Sequence, residues 1–334
     1  MNRKGICVAG NIVVDVLYPV TGLPKPGELT SIEEGISRAT GGAVCNVIAD
    51  LALMDPALPL TALGRIGEDA EGDFVLETFR RYANADFSMI KREGKTSFTA
   101  VMADSISKER TFFHYRGANA RFCEEDIDWE KIGADFLHIG YVLLLDTLDG
   151  GDPEYGTKMA RLLSHARDRG IKTSLDVVSE MGDRFKRLVP PCLKYTDYCV
   201  INELEASQVT GIALRDGGSN LITANVPRAL DAIKELGVSQ WAVIHCPEGG
   251  YGLDNRAKLQ ISQAVNLPPE YIKGKVGAGD AFCAGTIYAA SQGGSLEEGL
   301  ELGNAAAAAS LSMPGASEGM LPVEELRKLR AQFG

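Results

Sequence analysis

Short apolar runs rich in β-forming residues alternate along this chain with longer stretches in which apolar residues return every three or four positions. That rhythm predicts a mostly parallel sheet covered by helices, an α/β architecture. Strands are expected at Ile6–Ala9, Leu60–Leu63, Phe136–Ile139, Thr173–Asp176, Tyr198–Ile201 and Ala242–His245. Val44, Val47, Ile48 and Leu51 recur at helical spacing, and Val75, Phe79 and Tyr82 make a second apolar stripe. A third helix should follow Asp280, and a fourth should run through Leu302–Leu311.

Two segments break the rhythm, residues 12–38 and 94–118. In the second, Ser97–Met102 and Arg110–Tyr115 read as the strands of a hairpin, so the two insertions are expected to form one small added sheet. The remainder, 1–11, 39–93 and 119–334, would be the core. A sheet inserted at two separated points suggests a lid over the carboxyl ends of the main strands, where open α/β folds bind ligands.

Composition narrows the classes of partner. Thirty-four Lys and Arg against 45 Asp and Glu give a net charge of −11, with no basic run, which disfavours nucleic acid and anionic membranes. Seven scattered cysteines without a Cys-x-x-Cys pair read as reduced core thiols. The segment from Met1 to Lys4 leads into too few apolar residues for a signal peptide, and no run approaches a membrane span, so a cytoplasmic protein is expected.

The strongest chemical signal is Gly277-Ala278-Gly279-Asp280, a glycine turn opening into a helix. Such a turn points backbone N–H groups at a common spot and makes an anion hole for charge building on a transferring phosphoryl group. Asp280 at its mouth is placed to take a proton from an attacking hydroxyl. The same four residues also suit a plain helix cap, and by themselves they leave the two readings level.

Further motifs follow in order: Asp15 after the first strand, Gly41-Gly42-Ala43-Val44-Cys45-Asn46, Gly117-Ala118-Asn119-Ala120, Asn202-Glu203-Leu204-Glu205, and then Gly277–Asp280. This series resembles the PfkB, or ribokinase-like, carbohydrate kinases, from near the N-terminus to about residue 323. The resemblance implies a three-layer core with a mostly parallel sheet, a β-lid, and ATP-dependent phosphorylation of a hydroxyl on a sugar or sugar-like molecule. Asp280 would be the base, with the backbone of Gly277, Ala278 and Gly279 as the anion hole. Asp15, Gly41, Gly42, Asn46 and Asn119 would hold the substrate. Asn202 and Glu205 would serve the nucleotide side, Glu205 organising Mg²⁺ through water, with Lys275, Gly250 and Asn304 around the donor. A homodimer through the lid edges is a further expectation.

The chain departs from the family pattern twice. Where the family writes Asp-Thr before the glycine turn, this sequence has Gly274 and Lys275, which makes a monovalent cation doubtful and offers a lysine charge instead. After the Ala242–His245 strand, the family's Thr-Leu-Gly gives way to His245-Cys246-Pro247. His245 is read as a pocket-lining or core residue rather than a base. Ala43 stands where ribose-using members often carry Lys. Two alternatives stay open: a nucleoside kinase, with Phe98, Phe113 and Tyr115 as a stacking surface, and a catalytically weak sugar- or nucleotide-binding regulator.

Overall fold

The computed structural model describes residues 4–107, 109–180 and 182–334. Met1, Asn2 and Arg3, part of the polar lead into the first strand, lie outside the described residues. Among those residues, ten strands form the main sheet. The order across it is 259–263, 249–253, 241–246, 198–202, 172–177, 136–142, 6–10 and 60–66, with 85–86 and 90–92 paired to the last. Every neighbouring pair from 241–246 onward is parallel, while 249–253 and 259–263 close the other end as antiparallel strands.

Alternation along the strands sets the layers. Ile6, Val8, Phe136, Tyr198, Val200, Trp241 and Val243 enter one buried cluster, with helices 42–54, 70–79, 278–291, 296–310 and 323–333. Cys7, Ala9, Leu137, Ile139, Cys199, Ile201, Ala242 and Ile244 enter the other, with helices 158–168, 185–193, 203–210 and 226–235. A strand buried on both faces is held by apolar contact above and below, and each fully buried Ile or Leu contributes roughly 1.5–3 kcal/mol. This large core fixes in place the polar residues at the strand ends.

All six expected strands are present, each one to three residues longer than its apolar run. The helix expected through Leu302–Leu311 spans Leu296–Ser310, because the Ser295 hydroxyl accepts from Glu298 N–H while the Glu298 side chain accepts from Ser295 N–H. Tyr82 falls outside the second helix, which ends at Phe79. Strand Gly249–Leu253 escapes a pattern search because glycines interrupt it. A Cβ on Gly250 would lie 2.7 Å from the Phe282 ring, and one on Gly252 2.8 Å from Leu296. Pro190 and Pro191 likewise disguise helix 185–193.

The two insertions meet in a separate four-stranded sheet, ordered 37–41, 13–20, 97–104, 110–115. Strand 13–20 pairs antiparallel with 37–41 and parallel with 97–104, which returns antiparallel as 110–115. Asn119 fastens this sheet to the core. Its Oδ1 accepts from Ile12 N–H at 3.2 Å and its Nδ2 donates to Ile12 C=O at 3.0 Å.

Candidate active site

The carboxyl ends of the parallel strands and the start of helix 278–291 converge on two adjoining cavities. One, of about 530 Å³, is lined by Phe112, Tyr141, Asp176, Glu205 and the 277–280 turn. The other, of about 590 Å³, is walled by Val265, Leu267, Phe282, Asn304, Ala308 and Leu311. Asn202, His245, Lys275, Ala278 and Gly279 border both. A larger hollow of 710 Å³ lies elsewhere, between Gly293–Gly294 and the Arg327–Arg330 stretch, away from any strand end or helix start that converges polar groups.

Helix 278–291 opens at Gly277, whose φ of +76° only glycine adopts cheaply, and a Cβ there would strike Ala316 at 2.6 Å. Asp280 sits in the first turn, where the helix start favours negative charge. Its Oδ2 accepts from Asn46 Nδ2 at 2.8 Å and its Oδ1 from the Tyr141 hydroxyl at 2.6 Å. Burial raises the Asp280 pKa above the usual carboxylate range, and these two donors oppose the rise. Both donors belong to other elements, Asn46 to helix 42–54 and Tyr141 to strand 136–142. The carboxylate faces other elements.

Asp15 stands in strand 13–20, and Gly41 closes the strand paired beside it. A Cβ on Gly41 would lie 2.4 Å from Asp15 Oδ2, and one on Gly42, whose φ is +83°, would lie 2.6 Å from Asn11 C=O. The diglycine therefore lets the chain turn from the small sheet into helix 42–54 directly beneath the Asp15 carboxylate. Four residues along, Asn46 reaches Asp280. Burial raises the Asp15 pKa as well, with the Asp280 charge adding to the rise and a hydrogen bond from Thr99 opposing it. Asp15, Gly41, Asn46 and Asp280 thus form one connected cluster.

Asn202 caps helix 203–210, its Oδ1 accepting from Leu204 and Glu205 N–H at 2.9 Å. Glu205 accepts in turn from Asn202 N–H at 3.0 Å and from the Ser179 hydroxyl at 2.9 Å. Burial pushes the Glu205 pKa up to about 7 against those hydrogen bonds, and the Asp280 charge adds to the rise. Asp176, near the end of strand 172–177, is likewise raised well above the ordinary carboxylate value, by burial first and then by the Glu205 and Asp280 charges. These carboxylates, held up by burial and mutual repulsion, offer the oxygen-only donors that suit a hard divalent cation. A buried trio of Asp176, His138 and Cys283 also places its ligand atoms within 4.8 Å of one another. There His138 Nδ1 already pairs with the Ser174 hydroxyl at 3.0 Å, and we assign the trio no metal.

Lys275 is exposed at the junction of the cavities, and Asn304 lines the second. The Asn304 Nδ2 donates to Ser262 C=O at 2.9 Å and Gln263 C=O at 3.2 Å. Among the expected site residues, Asp15, Gly41, Gly42, Asn46, Asn119 and Gly250 line neither cavity, and the first four gather around Asp280 instead. Gly250 lines neither cavity and packs behind the Phe282 ring. The Asn119 amide is engaged by Ile12, so it holds the junction of the two sheets. Sequence reading missed Tyr141 and Asp176. Asp176 carried a signal, a carboxylate ending a predicted parallel strand, whereas Tyr141 follows a buried strand and looks like core.

A buried carboxylate at a glycine turn, facing further carboxylates across a cleft, is the equipment of a phosphotransferase. The chain belongs to the pfkB family of carbohydrate kinases, whose sequence profile matches residues 3–323. Members of this ribokinase-like group use ATP and generally Mg²⁺. A ribokinase of Arabidopsis thaliana is 26% identical over 330 residues, spanning 97% of this chain and 80% of the relative. An ATP-dependent ribose-1-phosphate kinase of Halopiger xanaduensis is 26% identical over 314 residues, 92% of each chain. Among solved structures, the Arabidopsis ribokinase complexed with ribose and ATP superposes with a TM-score of 0.80 at 22% identity over 98% of both chains. Among the described residues no helix is long and apolar enough to cross a membrane.

Proposed function

We propose that this kinase transfers the γ-phosphoryl group of ATP to a hydroxyl of an uncharged sugar or sugar-like molecule, with Asp280 as the base. The observation that carries the reading is the pair of hydrogen bonds holding Asp280 between Tyr141 and Asn46, the latter one turn into the helix that opens at the diglycine beside Asp15. An acceptor held by Asp15 and Asn46 would present its hydroxyl to the Asp280 carboxylate. The carboxylate takes the proton as the oxygen attacks phosphorus, and the Gly277–Gly279 N–H groups stabilise the charge that builds on the transferring group. The small sheet, over 12–38 and 94–118, would serve as the lid that excludes water.

On the donor side, Asn202, Lys275 and Asn304 border the space a nucleotide would fill. Glu205 and Asp176 are the residues that would hold Mg²⁺, Glu205 through water. The ion when bound neutralises charge on the phosphates. A monovalent cation is left out of the proposal. The place where the family has an acid is Gly274, and a Cβ there would lie 2.7 Å from Met313 C=O and 2.9 Å from Pro314 C=O.

Arginines near the cleft are already engaged, which supports an acceptor without phosphate. Arg116 pairs with Asp146, Arg121 with Glu93, and Arg184 with Asp149 and Glu180, while Arg38 lies over the Phe74 ring. A nucleoside is the second reading. It rests on Phe112, which lines the catalytic cavity, and on the Phe98–Tyr115 pair at 5.4 Å, which offer aromatic faces on the small sheet. The exposed aromatic strand 110–115 also supports a homodimer through that edge, which sedimentation velocity would read. The deciding experiment is Asp280→Asn: turnover should vanish while ATP and acceptor still bind, and a variant that keeps most of its activity would refute the base.

A further inference from the structure

His245 is the penultimate residue of strand 241–246, in register with Asn202 on the neighbouring strand, and borders both cavities at their junction. Its ring stacks on Phe282, centroids 5.0 Å apart and planes 28° apart, so its orientation is fixed by packing. The edge it turns toward the glycine turn carries Cε1 and Nε2, which would lie 3.3 Å and 3.8 Å from a Cβ on Gly279. Neither ring nitrogen has a hydrogen-bond partner among the described residues, and the ring is only half-buried. A stacked imidazole with free nitrogens, set beside backbone N–H groups of an anion hole, lacks only the acceptor for its own N–H. Two residues on, Pro247 has no N–H to offer.

We infer that His245 is a phosphate-binding residue of the donor site, donating a hydrogen bond from its imidazole to the polyphosphate chain where the chain crosses from one cavity to the other. Partial burial against Phe282 lowers its pKa below the ordinary imidazole value, so the free protein holds it neutral at neutral pH, with one N–H to give. It complements Lys275, which borders the same junction and acts as an exposed point charge. The inference rests on the kinase reading and adds to it a ligand for the donor's phosphates.

The test compares three probes by calorimetry: Mg-ATP, inorganic tripolyphosphate with Mg²⁺, and adenosine. His245→Phe keeps the stack on Phe282 and removes the N–H, while His245→Gln keeps an N–H donor. His245→Phe should weaken Mg-ATP and tripolyphosphate by roughly ten- to a hundredfold, the worth of a hydrogen bond to a charged group, and leave adenosine unchanged. His245→Gln should recover part of the loss, and in kinetics the ATP KM should rise more than kcat falls. Unchanged tripolyphosphate and ATP affinity in His245→Phe would overturn the inference. So would an equal loss for adenosine, which would make His245 a wall of the base pocket. If instead the wild type binds none of the phosphate probes, the kinase reading fails with it, an outcome separable from the first two.

Discussion

The two halves of the cleft are built differently. On the acceptor side, Asp15, the 41–42 diglycine, Asn46 and Asp280 match the family pattern residue for residue, and hydrogen bonds and close contacts bind them into one cluster. On the donor side, Gly274 and Lys275 replace an acid and a threonine, and His245-Cys246-Pro247 replaces the usual hydroxyl-bearing turn. Asn46 and Asp280 are buried and Asp15 is half-buried, so each member needs a particular partner and one change leaves another polar group unsatisfied. On the proposed donor side Glu205 and Asn304 are buried as well, but Lys275 is exposed and His245 half-buried at the junction of the cavities. There a phosphate can be met by backbone N–H, lysine or imidazole, so the chemistry tolerates exchange.

This contrast predicts a graded response to substitution. Asp280→Asn should cost about a thousandfold or more in kcat with both ligands still binding, as expected for loss of a general base. Next, Asp15→Asn should raise the acceptor KM by roughly ten- to a hundredfold, since it removes charged hydrogen bonds, and should leave the ATP KM within about twofold. An equal rise in both constants would erase the division between the halves. Lys275→Met should raise the ATP KM only several-fold, roughly the worth of one exposed charge, and spare the acceptor KM. No change in ATP affinity would remove Lys275 from the site.

Tyr141→Phe probes the tuning of the base. Its hydroxyl favours the ionised form of Asp280. Removing it should raise the Asp280 pKa and move the acid limb of the kcat/KM profile to higher pH. A limb that moves to lower pH would contradict this account.

The smallest effect concerns Asp50, one turn beyond Asn46 on helix 42–54. Both of its oxygens are buried outside hydrogen-bond geometry to any described residue, and burial, with the Asp280 charge adding and the nearby Ser317 hydroxyl opposing, holds its pKa well above the ordinary value. The folded state therefore keeps a proton that the unfolded chain releases. The stability this confers is complete below the unfolded pKa near 3.9 and is lost as pH rises toward the folded value. Asp50→Ala should accordingly stabilise the protein by about 1 kcal/mol at pH 7 and by less near pH 4, read by thermal unfolding at the two pH values. Destabilisation at pH 7 would mean that Asp50 has a partner in solution.

The sequence made the layers legible, because strands such as Ile6–Gly10 and Trp241–Cys246 are apolar on both faces and helix 42–54 carries its stripe at i, i+3, i+4 and i+7. It hid Gly249–Leu253, whose glycines exist to admit Phe282 and Leu296 from a distant helix pair. Asn202, Glu205 and Asp280 stood out as candidates because each lies at a strand end or in the first turn of a helix, where open α/β folds aim side chains at the crevice. Asn119 and Gly250 belonged to the same reading, and the structure places the Asn119 amide on Ile12 and Gly250 against the Phe282 ring, contacts with remote segments that no local pattern records.

By itself, then, the sequence determined the α/β order, the inserted sheet and the glycine turn with its carboxylate, all of which follow from residues near one another in the chain. Only the tertiary structure brought Tyr141 and Asn46 onto Asp280, gathered Asp176 beside Glu205, and left the His245 nitrogens free at the junction of two cavities. Those pairings span more than a hundred residues in the case of Asp280. Local periodicity carries no record of them, because they are set by which strand ends lie side by side once both faces of the sheet are buried.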